Sequence, residues 1–240
     1  MNALRMKTRL AACARKTAFA LAMGSAVVAA PAMASTFKLQ SNTVILEERD
    51  GRTAFNVTNT GKEPILLVSK VEDLAGESMA GNVLVTPAVT RIDPGQSQMV
   101  NFSLKKGVKL DREYMLRASF EGVTQKAEHG MRMPIRQQIG LILQPKSVAA
   151  EPRPWQDLSL KVEGNDIVVS NPGKHVIRMG PTLTVQPSGA TGSLPRPYVM
   201  PGESLRVSFE NLGAAQNVGI VPLSRYGFAM EADVLPIGQP

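Results

Sequence analysis

Val85 to Phe102 reads V-T-P-A-V-T-R-I-D-P-G-Q-S-Q-M-V-N-F, and this stretch decides the fold class. Thr86-Pro87 opens an extended run, Asp93-Pro94-Gly95 reverses the chain, and Met99, Asn101 and Phe102 begin a second extended run. Proline presets φ at the second position of a tight turn, and glycine accepts the positive φ that follows. The wording predicts a β-hairpin.

Outward from this point the idiom repeats. Val44 to Leu46, Ala54 to Val57, Ile65 to Val68, Tyr114 to Val123 and Met131 to Leu143 are short apolar or alternating runs, broken by Asp50-Gly51, Thr60-Gly61 and Pro94-Gly95. Such spacing is that of a β-sandwich, and no heptad or long amphipathic helix interrupts it. Lys146 to Pro154 is small, Ala-rich and punctuated by proline, which marks a linker. Beyond it Leu158 to Val162, Ile167 to Val169 and Leu205 to Phe209 alternate with Gly164-Asn165, Asn171-Pro172-Gly173 and Pro201-Gly202, predicting a second, smaller sandwich. The expected organisation is a leader over 1–34, a first domain over 35–146, a linker over 147–154 and a second domain over 155–240.

The leader carries Arg5, Lys7, Arg9, Arg15 and Lys16, then an apolar run from Thr17 to Val28, then Ala32-Met33-Ala34 before Ser35. That is the pattern of a signal peptide cleaved after Ala34, and no later segment approaches the length of a membrane span. Cleavage removes five of the 27 basic residues and none of the 20 acidic ones, so the net charge of +7 falls to +2. Nucleic-acid binding loses its electrostatic basis. The single cysteine, Cys13, leaves with the leader, so neither a disulfide nor a thiolate nucleophile is expected afterwards.

Met131, Met133 and Ile135 alternate with Arg132, Pro134 and Arg136. In a strand the three apolar side chains fall on one face and the basic pair on the other. Pro134 lacks an N–H and therefore favours an edge position.

The Val85–Phe102 stretch resembles the T-P-P-x-x-R-L-x-P-G-x-x-x-x-V segment of the periplasmic chaperones of chaperone-usher pilus assembly, the PapD-like superfamily. The second half resembles the same family in order: W-Q-x-L at 155–158, G-x-x-I-x-V-x-N-P at 164–172 and V-x-P-G-E-S-L-x-V at 199–207. The resemblance implies an all-β chain of two immunoglobulin-like β-sandwich domains in an L or boomerang arrangement, working in the periplasm without a cofactor. It implies that Met131, Met133 and Ile135 fill the groove of a pilin subunit whose fold lacks its last strand, by donor-strand complementation. Backbone pairing and groove filling together remove the features that make such a subunit aggregate, and methionine adapts to grooves of different shape. The implied partners are pilins and an outer-membrane usher; self-capping as a homodimer through the same strand stays open.

The better-known members hold the pilin's terminal carboxylate with an Arg and a Lys. Aligning 43–46 and 139–145 puts Thr43 and Gly140 at those positions, so the usual anchor is absent and the chain resembles a divergent branch of the family. That branch carries an Arg in an aromatic-rich strand ending F-E, matched here by Tyr114 to Glu121. Arg117 points away from the apolar face of Tyr114, Leu116, Ala118 and Phe120, and is the candidate carboxylate anchor. The family's interdomain ionic cluster retains Glu113, with Gln144 and Arg225 at the other two places, so Glu113 and Arg225 are the candidate bridge.

No catalytic motif is present, and His129 and His175 fall in expected loops, so an enzyme, a metal site or a cofactor site is not expected. A structural or adhesive immunoglobulin-like surface protein is the alternative reading. Two complete-looking domains, and no cysteine beyond the leader, weigh against a pilin.

Overall fold

The computed structural model describes residues 37–124 and 134–238. The first domain holds β1 (Phe37–Leu39), β2 (Thr43–Glu47), β3 (Arg52–Asn59), β4 (Ile65–Glu72), β5 (Val83–Thr86), β6 (Val89–Ile92), β7 (Ser97–Leu104), β8 (Tyr114–Thr124) and β9 (Ile135–Gln144). They form two sheets, ordered β1-β3-β7-β5 and β2-β9-β8-β4-β6. Alternation along the strands puts Phe55, Val57, Val100, Phe102, Leu116, Phe120, Leu141 and Leu143 into one core between them. Phe55 stacks on Phe120 at 5.4 Å between centroids, and Phe102 meets the same ring edge-on at 6.3 Å.

The stretch that announces the sandwich does not form the expected hairpin. β6 pairs with β4 in one sheet, whereas β7 pairs with β3 and β5 in the other. Asp93-Pro94-Gly95 therefore carries the chain across the sandwich instead of folding it back on its neighbour. The cause is a buried asparagine. Asn59 Nδ2 donates to the carbonyls of Glu63 and Ile92, each at 2.9 Å, and its Oδ1 accepts the Gly61 N–H at 2.9 Å. The Asn59 backbone accepts from Gly95 and donates to Gln96. The turn is thus bonded to the end of β3 and has no strand partner of its own.

Residues 145–158 contain no strand, only a 3-10 turn at Pro154–Asp157 that buries Trp155 against the second core. The second domain follows with β10 (Ser159–Glu163), β11 (Asp166–Ser170), β12 (Ile177–Arg178), β13 (Thr182–Pro187), β14 (Thr191–Ser193), β15 (Tyr198–Val199), β16 (Ser204–Ser208), β17 (Ala215–Ile220) and β18 (Asp233–Pro236). Its sheets are ordered β10-β11-β16 and β14-β13-β17-β18, with a β12-β15 ribbon beside them. Asn171 repeats the role of Asn59. It donates to the carbonyls of His175 and Val199, accepts from the Gly173 N–H, and its backbone bonds Gly202 and Glu203.

A third cluster joins the halves: Leu74, Met115 and Ile142 from the first domain pack on Val176, Met200 and Tyr198 from the second. No helix among the described residues is long and apolar enough to cross a membrane. The expected leader, with cleavage after Ala34, lies outside the described residues.

Candidate functional site

β9 is the strand on which the site is built. On one side it pairs antiparallel with β8 along its full length, from Ile135 opposite Gly122 to Leu143 opposite Tyr114. On the other side β2 pairs with it in parallel, but only from Gly140 to Gln144. No strand among the described residues lies along that edge at 135–139. Pro134, which could not donate to a ladder, immediately precedes the strand.

Ile135 and Ile139 pack half-buried against the first core, while Arg136 is exposed and pairs with Glu121. Ile135 and Arg136 thus fall on opposite faces. Met131 and Met133 lie outside the described residues.

Across the sheet, Thr43, Gly140, Arg117 and Glu72 form one transverse row on consecutive strands. Their side-chain face is the one that meets the second domain. Arg117 is exposed, and Tyr114, Leu116, Ala118 and Phe120 turn the other way into the first core. Glu72 lies opposite Arg117 in the neighbouring strand but is bonded to Lys70 at 2.7 Å and to Gln138 at 3.3 Å. Lys70 foremost, with the more distant charges of Arg136 and Arg117, holds the Glu72 carboxyl below its usual range against the opposing effect of burial.

The uncharged pair Thr43 and Gly140 is met by a cation from the other domain. Arg178, on β12, donates from Nη1 to Thr43 Oγ1 at 2.7 Å. Its guanidinium carbon stands 3.9 Å from where a Cβ on Gly140 would be. Burial is what lowers the Arg178 pKa, and no neighbouring carboxylate offsets that. Gly227, at φ +84°, leaves room for the guanidinium: a Cβ there would lie 3.0 Å from Arg178 Nη2. Arg117 and Arg178 line one cleft of about 360 Å³, which Gly140, Met115, Leu74 and Tyr198 also line. Neither arginine forms an ion pair among the described residues. Arg178 escaped the sequence reading because it sits in Val176-Ile177-Arg178-Met179, between residues that are all buried. A lone charge inside an apolar run was the available signal.

The candidate bridge is built differently from the expectation. Glu113 is 7% exposed, and its Oε2 accepts the Val176 N–H at 2.8 Å; its own N–H donates to the Lys174 carbonyl at 2.8 Å. Arg225 donates to Gln144 Oε1 at 3.1 Å. The two residues therefore cross the domain boundary separately and form no direct ion pair, because a backbone amide has taken the carboxylate. Burial raises the Glu113 pKa, against the opposing pull of the Val176 N–H, His175 and Arg225.

Comparison with known proteins identifies the fold and the family. The family model described as pili and flagellar-assembly chaperone, PapD N-terminal domain, matches residues 36–149. The fimbrial chaperone YhcA of Escherichia coli K12 is 31% identical over 191 residues, covering 79% of this chain and 85% of that protein. The chaperone protein FimB/FhaD of Bordetella pertussis is 27% identical over 211 residues, covering 80% and 86%. Among solved structures, that of the Salmonella enterica SafA pilin in complex with the SafB chaperone matches with a TM-score of 0.71 and 21% identity, covering 84% of this chain and 96% of that one. Two immunoglobulin-like domains, a joining cluster and this degree of likeness lead to one conclusion: the chain belongs to the PapD-like family of periplasmic pilus-assembly chaperones, which are not enzymes.

Proposed function

We propose that this protein binds pilin subunits by donor-strand complementation, lending the edge that runs from Met131 through Met133 and Ile135 to Ile139. The observation that carries the reading is that, among the described residues, β2 covers only Gly140 to Gln144 of β9, which supports a client strand continuing the column of β2 upstream. SafB, a structural relative, is solved with a pilin. Each groove-filling side chain is worth roughly 1.5–3 kcal/mol and each backbone bond roughly 1 kcal/mol net. Together they exceed an association cost of several kcal/mol. Arg117, facing the cleft beside Gly140, is the proposed anchor for the client's terminal carboxylate.

The leader exports the chain to the periplasm with cleavage after Ala34, and the loaded chaperone delivers its client to an outer-membrane usher. The same edge on two copies is the route by which the resting protein would cap itself as a homodimer. The deciding experiment co-expresses the chain with small secreted β-proteins from its own source and replaces Met131, Met133 and Ile135 by aspartate. The expected result is a folded chaperone whose clients are degraded; clients that accumulate normally with all three changed overturn the reading.

A further inference from the structure

We infer that Arg178, on the second domain, supplies half of the client-carboxylate anchor, so that the site is shared between the two domains and its occupancy ties them together. The inference rests on the strand-addition reading and deepens it. Thr43 is the first residue of β2 and pairs with Gly140. A strand that enters along 135–139 on that edge runs up against the start of β2 and must end there.

Arg117 from β8 and Arg178 from β12, neither in an ion pair among the described residues, line the cleft at that point. A chain end bearing an ammonium is repelled from the spot, and one bearing a carboxylate is held. The visiting strand therefore runs parallel to β9, in the direction of β2, with its last residue at Gly140. Gly140 pairs in register with Arg117, and the Arg178 guanidinium carbon stands 3.9 Å from where its Cβ would be, so this bare position lies beside both residues. Arg178 is held in place from three directions: Thr43 Oγ1 takes one of its donors, the Gly227 turn lies against Nη2, and its carbonyl accepts the Leu223 N–H at 2.9 Å. A planar fork fixed in this way, with donors left over, suits a carboxylate. Because Arg178 belongs to the second domain, a bound carboxylate connects β8 of one domain to β12 of the other.

The test uses two synthetic peptides of alternating apolar residues, identical except that one ends in a free carboxylate and the other in a carboxamide. The full mature chain is expected to bind the carboxylate form about tenfold or more tightly. Arg178→Met is expected to collapse that ratio while leaving affinity for the carboxamide form unchanged. Thr43→Val, which removes the hydroxyl but keeps the guanidinium, should hold the ratio within about threefold of the original. Hydrogen exchange at Ile177 to Met179 should slow with the carboxylate peptide and not with the carboxamide. A ratio that survives Arg178→Met, or β12 amides indifferent to the carboxylate, overturns the inference. If both peptides bind equally well, strand addition stands and the anchor fails; if neither binds, strand addition itself fails and takes the anchor with it.

Discussion

Replacing Asn59 by alanine tests the device that carries the chain across the first sandwich. The side chain is fully buried and makes three hydrogen bonds, two donated and one accepted. The Ile92 carbonyl is itself buried and, once orphaned, costs about 1–3 kcal/mol; the partly buried Glu63 carbonyl and Gly61 N–H recover water and cost roughly 0.5–1 kcal/mol each. The total is about 3 kcal/mol, which corresponds to a fall of roughly 12–24 °C in the melting temperature of a domain of about 100 residues. Trp155 is the chain's one tryptophan and lies in the second core, so its fluorescence follows that domain, whereas far-UV circular dichroism follows both. Urea melts of Asn59→Ala should show the loss in the dichroism and much less of it in the fluorescence. Asn171→Ala should reverse that pattern, since Asn171 makes the corresponding three bonds in the second domain. A loss below about 1 kcal/mol in either variant would refute the claim that these asparagines fix the crossings.

Glu113→Gln should stabilise the protein at neutral pH. Burial raises the carboxyl pKa above 4.5, so the folded state holds the proton more tightly than the unfolded one. The resulting stabilisation is complete below that value and is lost as pH rises through the folded pKa. Glutamine has no proton to lose there and still offers Val176 an acceptor. The variant's advantage over the original should therefore grow as pH rises from 4.5 and then level off, which urea melts across that range will read. Gly227→Ala forces a left-handed φ on a residue with a Cβ and presses on Arg178. It should cost about 1–3 kcal/mol in the fluorescence-detected melt and reduce the preference for a terminal carboxylate over a carboxamide.

The strands of the first half were legible because alternation and turn residues agree along Ala54 to Val57, Ile65 to Val68 and Tyr114 to Val123. Each maps onto a strand of the fold. The turn at Asp93-Pro94-Gly95 was also legible as a turn. Its destination was not, because the choice between a hairpin and a crossing depends on Asn59, more than thirty residues earlier. In the second half the ribbon strands Ile177–Arg178 and Tyr198–Val199 are too short to leave a period. Arg178 showed in the sequence only as a lone charge inside an apolar run, because its meaning lies in Thr43, 135 residues away. Arg117 could be assigned to its face of β8 by parity alone, since the period of two fixes orientation without any knowledge of partners.

β9 has three sets of neighbours. Its upstream half has no strand beside it opposite β8 among the described residues, its downstream half is gripped by β2 and β8, and its alternate residues divide between the first core and the cluster that joins the domains. Mutational tolerance along these ten residues must therefore run as a gradient. A change at Arg136 disturbs one surface ion pair, whereas Leu141, Ile142 and Leu143 answer to two hydrophobic interiors in successive positions. Diversification toward new clients is channelled to the open end of the strand, and the closed end is bound to stay as it is.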